Sequence, residues 1–351
     1  MAEQHPTAIP AGSLVLITGI TSYVASWVAK DLLQRGYRVC GVVRNLPQAA
    51  WLTQEVFPSF AATAGGAAAF DLVEIPDLAA PHAFDGVIRE SQPSAIIHIA
   101  TPMRFDPDPN KVIPPVVETV TSLLQSASLV SSVKRFVYTS SIGAAYSPQV
   151  GIPATLTSDS WNYAAVEAAW APPPYTPDRG GKVYAASKVE AERAMFQFVD
   201  ETQPGFTVTS VDPFFILGPV LHKRHLQGSA GWVHNVYIGE PKVAGVIPFG
   251  CQVNVQDVAA LHIAAVLDPD VKGDRLLAAA EPLNINVLLA ILRRQYPDRD
   301  FMEDLPSQGL CLATIGDEDQ GRLLGLLKKW TGRDGWISLE QGVREAMQFE
   351  L

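Results

Sequence analysis

Leu14-Val15-Leu16-Ile17-Thr18-Gly19-Ile20-Thr21-Ser22-Tyr23-Val24-Ala25 runs from an apolar, β-branched stretch through one glycine into the start of a helical pattern. A glycine-bearing turn between a strand and a helix N-terminus lets backbone N–H groups and the helix dipole come close to an anion such as a pyrophosphate. On its own such a turn is weak evidence, since ordinary strand–helix connections also use glycine.

The surrounding sequence supplies the context. From Ser13 to about Val211, short β-branched runs alternate with longer helical patterns, the signature of a parallel sheet covered by helices. Strands are expected at Leu14–Thr18, Arg38–Val43, Phe70–Glu74, Ala95–Ile99, Arg135–Thr139 and Thr207–Val211, with helices at about Ser22–Arg35, Ala83–Glu90, Val116–Val130 and Gly181–Glu201. This predicts an α/β fold: a Rossmann-type, doubly wound parallel sheet whose ligand crevice lies beyond the carboxyl ends of the strands. The division expected is a dinucleotide-binding domain over residues 12–212 and, over 213–351, mainly a smaller substrate-binding lobe. Ala64 to Ala69 reads as a surface turn. The proline-rich stretch from Ser147 to Gly180 has no sustained period and reads as a long loop beside the crevice.

The 351 residues can bury a large core, and 48% hydrophobic against 18% charged residues is the balance of a globular enzyme. A net charge of −10 without a basic patch excludes nucleic-acid binding and attachment to an anionic membrane. No stretch has the ~18 uninterrupted apolar residues of a spanning helix. Cys40, Cys251 and Cys311 are far apart in sequence, which suggests neither a metal site nor a disulfide framework and points to a reducing, cytoplasmic setting.

The second strand ends at Val42-Val43-Arg44. An acidic residue at that end bonds a ribose 2′-hydroxyl, whereas an arginine pairs with a 2′-phosphate, so Arg44 favours NADP(H). Two further segments fall at strand ends, Ala95-Ile96-Ile97-His98-Ile99-Ala100-Thr101-Pro102 and Lys134-Arg135-Phe136-Val137-Tyr138-Thr139-Ser140-Ser141, and a third, Tyr184-Ala185-Ala186-Ser187-Lys188, opens a helix. Together with the glycine turn they resemble the extended short-chain dehydrogenases/reductases, in particular fungal aldehyde/ketone reductases and plant dihydroflavonol reductases. The likeness runs nearly the whole length, to Gly335-Trp336-Ile337-Ser338-Leu339-Glu340.

The resemblance implies a cofactor site made of Thr18, Gly19, Thr21, Ser22, Tyr23, Val24 and Arg44 on the adenosine and phosphate side. Asp77 and Leu78 would flank the adenine, and Ala100, Thr101 and Thr139 would line the nicotinamide ribose. Pro213, Phe215 and Ile216, in the segment Val211-Asp212-Pro213-Phe214-Phe215-Ile216-Leu217-Gly218-Pro219, would approach the carboxamide. Two positions depart from the family pattern. Ser22 stands where relatives have a second glycine, and Gln48 where they often have a lysine against the 2′-phosphate.

The chemistry is expected at Ser141, Tyr184 and Lys188. Lys188 lies four residues after Tyr184, so both project from one helix face. Hydride addition leaves charge on the carbonyl oxygen, and Ser141 and Tyr184 would donate to it, Tyr184 also giving the proton. Lys188 would lower the phenol pKa and hold the nicotinamide ribose. His98, within an apolar strand, reads as a packed core residue. Phe105, Phe214, Trp232 and Tyr237 are candidates for an aromatic wall against an apolar substrate.

The expected activity is therefore NADPH-dependent reduction of a hydrophobic ketone or aldehyde. The alternatives are an epimerase or dehydratase on the same fold, or an NADP-sensing protein without turnover.

Overall fold

A computed structural model of the protein describes residues 5–61, 68–101, 105–240, 250–306 and 309–349. The apolar runs become β1 (Leu14–Thr18), β2 (Arg38–Val43), β3 (Phe70–Glu74), β4 (Ala95–His98), β5 (Arg135–Thr139) and β7 (Thr207–Pro213). Between them lie α1 (Tyr23–Gln34), α2 (Asp85–Ser91), α3 (Ile113–Ala127) and α5 (Gly180–Thr202). Helix α3 starts earlier than its apolar period suggests because Pro114 and Pro115 occupy its first turn, where a missing N–H costs nothing. The small-residue stretch expected as a turn at Ala64 to Ala69 falls largely outside the described residues.

With β10 (Arg275–Ala278) these strands form a seven-stranded, wholly parallel sheet in the order β10-β7-β5-β4-β1-β2-β3. Alternation along each strand builds two layers. Val15 and Ile17 of β1 pack with α1 and with α7 (Val255–Leu267) and α9 (Asp317–Thr331), while Leu16 between them packs with α2, α3 and α5. Leu16 and Ile17 are completely buried, which stabilises the fold by roughly 1.5–3 kcal/mol each. The chain leaves β1 in one direction to β2 and β3, then returns to β4 on the other side of β1. The crevice therefore opens beyond the carboxyl ends of β1 and β4.

Beyond Pro213 a C-terminal lobe forms around a small sheet of β8 (Phe215–Leu217), β9 (Gly250–Asn254) and β11 (Glu281–Leu283). Helices α6 (Gly231–Tyr237), α8 (Ile285–Gln295) and α10 (Leu339–Met347) close its core around Leu289 and Val343. Helices α7 and α9 and strand β10 return to the main sheet.

The segment from Ser147 to Gly180 is not the structureless loop its prolines suggest. Pro153–Leu156 is strand β6, paired in parallel with β12 (Leu312–Ile315), and Tyr163–Trp170 is helix α4, capped by Asn162, whose side chain accepts the Ala165 N–H. A four-residue strand whose partner comes so much later leaves no local periodic signal. The alanine-rich helix was within reach of propensity alone. Among the described residues, no helix is long and apolar enough to cross a membrane.

Candidate active site

Gly19 follows β1 with φ at +69°, and a Cβ there would meet the Ala100 backbone at 2.9 Å. Only glycine lets the turn after β1 lie so close to the turn after β4. Below it, the Thr18 hydroxyl accepts from the N–H groups of Ile99 and Ala100, each at 3.2 Å, and lies 2.8 Å from His98 Nδ1. With its lone pairs engaged, Thr18 donates to a His98 ring protonated on the other nitrogen, a tautomer assigned from these partners. His98 is buried and its pKa is pushed down to about 3, by burial first and then by the Lys188 charge. It is a neutral core residue. The Thr18 side chain braces the two turns from beneath.

Thr21 and Ser22 are exposed at the mouth of the turn. Ser22 is the N-cap of α1; its Oγ accepts the Ala25 N–H at 3.4 Å and its own N–H donates to the Gly19 carbonyl at 2.9 Å. Its hydroxyl proton stays available to a ligand. Val24 is buried. Tyr23 is half-buried, and its hydroxyl has no hydrogen-bond partner among the described residues; burial and then Glu345 hold its pKa well above the usual phenol value. Arg44 and Gln48 are exposed past the end of β2. Asp77 is exposed past β3 and accepts the Ala79 N–H at 3.0 Å, while Leu78 packs partly against the α2–α3 side of the core.

At the other end of the crevice, Ser141 follows β5 and caps a single helical turn, its Oγ accepting the Gly143 N–H at 3.2 Å. Tyr184 is half-buried on the first turns of α5. Burial raises its phenol pKa, and the nearby Ser141 hydroxyl partly opposes that rise. Lys188 is buried and gives its ammonium three acceptors: Thr101 Oγ1 at 2.9 Å, the Thr139 carbonyl at 3.0 Å and the Tyr138 hydroxyl at 3.3 Å. Burial pushes its pKa down to about 8, against the opposing charges of Asp212 and Glu192.

The Lys188 ammonium is turned to the β4 and β5 ends, where Thr101 and Thr139 take its hydrogen bonds, and Ser141 is a group that favours the phenolate. Thr139 has its hydroxyl committed too: His262 Nδ1 lies 2.8 Å from the Val258 carbonyl and donates to it, leaving Nε2 to accept the Thr139 O–H at 2.7 Å.

The aromatic candidates separate. The Phe105 ring lies 5.3 Å from that of Tyr184, and Phe214 packs beside Ile142 and Ala145 behind Ser141. Trp232 pairs with Phe215 at 4.3 Å. Tyr237 does not join them as a wall: its ring is taken up by Tyr296 and Phe301, under the Arg299 guanidinium at 4.1 Å. Pro213 is buried at the end of β7, with Phe215 and Ile216 half-buried beyond it. Composition and spacing did not single out the buried Glu192, Asp212 and Arg275 behind the site, although Glu192 continues the four-residue spacing of Tyr184 and Lys188.

Residues 15–275 match the model of the NAD dependent epimerase/dehydratase family. The chain is 37% identical over 342 residues to the NAD-dependent epimerase/dehydratase terH of Aspergillus terreus, covering 97% of each chain. It is 32% identical to aldehyde reductase 2 of Sporidiobolus salmonicolor, over 100% of this chain and 99% of that one. The crystal structure of Gre2 from Candida albicans in complex with NADPH superposes with a TM-score of 0.79 at 26% identity, over 97% of this chain and 98% of that one.

Proposed function

The chain belongs to the NAD dependent epimerase/dehydratase family, and we propose that it is an NADPH-dependent oxidoreductase that converts a ketone or aldehyde to an alcohol. The observation that carries this reading is the convergence of Tyr184 and the buried Lys188, one turn apart on α5, on the end of β5 that leads into Ser141, where Lys188 donates to the Thr139 carbonyl. The relatives named for aldehyde reduction and the NADPH complex of Gre2 support it.

The residues of the first turn suit a dinucleotide. Gly19 leaves the close approach that a Cβ would fill, α1 offers its N-terminal N–H groups, and Arg44 is an exposed cation where a 2′-phosphate would lie. Thr21, Ser22, Tyr23 and Val24 line the phosphates, and Asp77 and Leu78 the adenine. Ala100, Thr101, Thr139 and Lys188 hold the nicotinamide ribose, and Pro213, Phe215 and Ile216 border the carboxamide. When bound, the cofactor supplies the hydride.

Ser141 and Tyr184 then donate to the carbonyl oxygen, and Tyr184 transfers its proton as charge develops there. A phenol whose pKa is raised by burial keeps that proton at neutral pH until the alkoxide, a far stronger base, draws it off. Lys188 stabilises the resulting tyrosinate through its positive charge and holds the Thr101 and Thr139 edge in register. Phe105, Phe214 and Trp232 give the carbonyl compound an apolar wall, which favours a hydrophobic substrate. Residues 12–212 hold the cofactor, and 213–351 mainly shape the substrate side. The cytoplasm suits the free thiols of Cys40, Cys251 and Cys311.

The test is NADPH oxidation followed against a panel of aryl and alkyl ketones and aldehydes, with chiral analysis of the alcohols. Carbonyl-dependent oxidation is expected. Its absence across the panel would overturn the assignment.

A further inference from the structure

Behind the site lies a charged cluster that the mechanism above does not use. Glu192 is wholly buried one turn beyond Lys188 on α5. Its Oε2 accepts the Ser140 hydroxyl at 2.6 Å, and its Oε1 accepts the Ser210 hydroxyl at 3.1 Å and the Arg275 Nε–H. Arg275, also buried, donates through Nη1 to the carbonyls of Ser158 and Ser160, both at 2.6 Å, and lies over the Trp161 ring at 3.7 Å. Asp212 is 3.9 Å from Arg275 Nη2, and neither of its oxygens has a hydrogen-bond partner among the described residues. Burial and the Glu192 charge push the Asp212 carboxyl well above its usual range, and Arg275 hydrogen-bonds to Glu192 rather than to Asp212.

We propose that Glu192, held by Arg275, is a positioning residue for the reduction: it clamps the Ser140-Ser141 strand end to the face of α5 that presents Tyr184 and Lys188. The inference rests on the reductase reading. Ser140 is the neighbour of Ser141, so a 2.6 Å bond from Ser140 to α5 fixes the distance between the strand that carries one oxyanion donor and the helix that carries the other. Arg275 extends the same clamp to the 158–161 segment. A buried pair of this kind costs desolvation, and it is retained where it specifies geometry.

The pair also acts on Lys188 through charge. The ionisable groups facing that ammonium are His98 from β4, Tyr138 from β5, Asp212 from β7, and Glu192 and Tyr184 from its own helix. Among them, the charges of Asp212 and Glu192 favour the charged lysine, and Glu192 is the one of the two that the clamp holds by hydrogen bonds.

Two variants of the full chain separate the two effects. Glu192→Gln keeps the shape and an acceptor for Ser140 but removes the charge. Its kcat should fall about tenfold with KM nearly constant, and the alkaline fall of kcat should begin at lower pH. Ser140→Ala removes the clamp and keeps the charge, so kcat should fall by a similar factor with the alkaline limb unmoved. A folded Glu192→Gln enzyme with the kcat and alkaline limb of the unmodified protein would overturn the proposal. If that variant does not fold, an unchanged kcat in Ser140→Ala overturns it instead. Should the unmodified protein reduce no carbonyl, the reductase reading fails by itself; NADPH-binding titrations of Glu192→Gln across pH then decide, and a pH dependence equal to that of the unmodified protein refutes the link to Lys188.

Discussion

Lys188 delivers its ammonium to the carbonyl oxygen of Thr139 at 3.0 Å, two residues short of Ser141. The lysine is thus built into the end of β5, and its charge state bears on both sides of the crevice.

Because burial brings the Lys188 pKa down to about 8, its charge is lost just above neutrality, whereas Tyr184, with a raised pKa, keeps its proton there. Turnover and NADPH affinity should both decline as pH rises through about 8. The stability effect has the opposite sign. The folded pKa lies below the unfolded value of ~10.4, so the unfolded chain binds the extra proton between them and this group's contribution to stability rises across that window. Kinetic pH profiles and urea unfolding over the same range check both. Flat activity between neutral pH and pH ~9 would remove Lys188 from the mechanism.

Tyr184→Phe deletes the proton donor and leaves the ring. It should lower kcat by at least ~10²-fold while NADPH affinity stays close to normal. Ser141→Ala removes the other donor and should cost ~10²–10³-fold in kcat. Fluorescence titration of NADPH beside steady-state kinetics distinguishes loss of chemistry from loss of binding. Near-normal turnover by Tyr184→Phe would make that tyrosine a structural residue.

Arg44 is exposed and opposed by no carboxylate within ion-pair distance among the described residues. Arg44→Asp should erase or invert a preference for NADPH over NADH. The lost charge-assisted pair is worth ~1.5–3 kcal/mol, or roughly tenfold to a hundredfold in affinity. Equal use of both cofactors by the unmodified protein would contradict the role.

Ser22 is at once the N-cap of α1 and the residue at the mouth of the glycine turn. Ser22→Ala should destabilise the protein by ~0.5–2 kcal/mol through the lost cap, Ser22→Gly by only a few tenths. Both should weaken NADPH binding by removing a hydroxyl donor. Unaltered affinity in the glycine variant would mean that the hydroxyl serves the helix alone.

Much of the sheet could be read from the chain because its central strands are buried on both faces. Such strands appear as continuous apolar runs; β1, β2 and β5 have the expected bounds to the residue, as does the half-exposed edge strand β3. The two chemical ends were legible for a related reason, since Gly19, Arg44 and Ser141 each follow such a run directly. What escaped was made by partners distant in sequence. Leu156 and Ile315 meet in a pair of four-residue strands, and Glu192 and Arg275 join in the interior, with nothing local to announce either. Helical spacing places Tyr184 and Lys188 on one face without fixing where a long side chain ends, so the Lys188 hydrogen bonds to Thr101 and Thr139 were not legible. The ring partners of Tyr237, Tyr296 and Phe301, were not legible because they come from a part of the lobe with weak periodicity.

The pairing of β6 with β12 imposes an order on synthesis. Residues 153–156 wait for residues 312–315 before they have a strand partner, so a ribosome must pass residue 315 before that edge can close. The two turns that meet at Gly19 and Ala100 belong to elements made much earlier. A nascent chain should therefore become able to hold cofactor well before the wall behind Ser141 is finished. Limited proteolysis of stalled chains would reveal this as early protection of the first turn and late protection around residues 147–160; simultaneous protection of both would refute it.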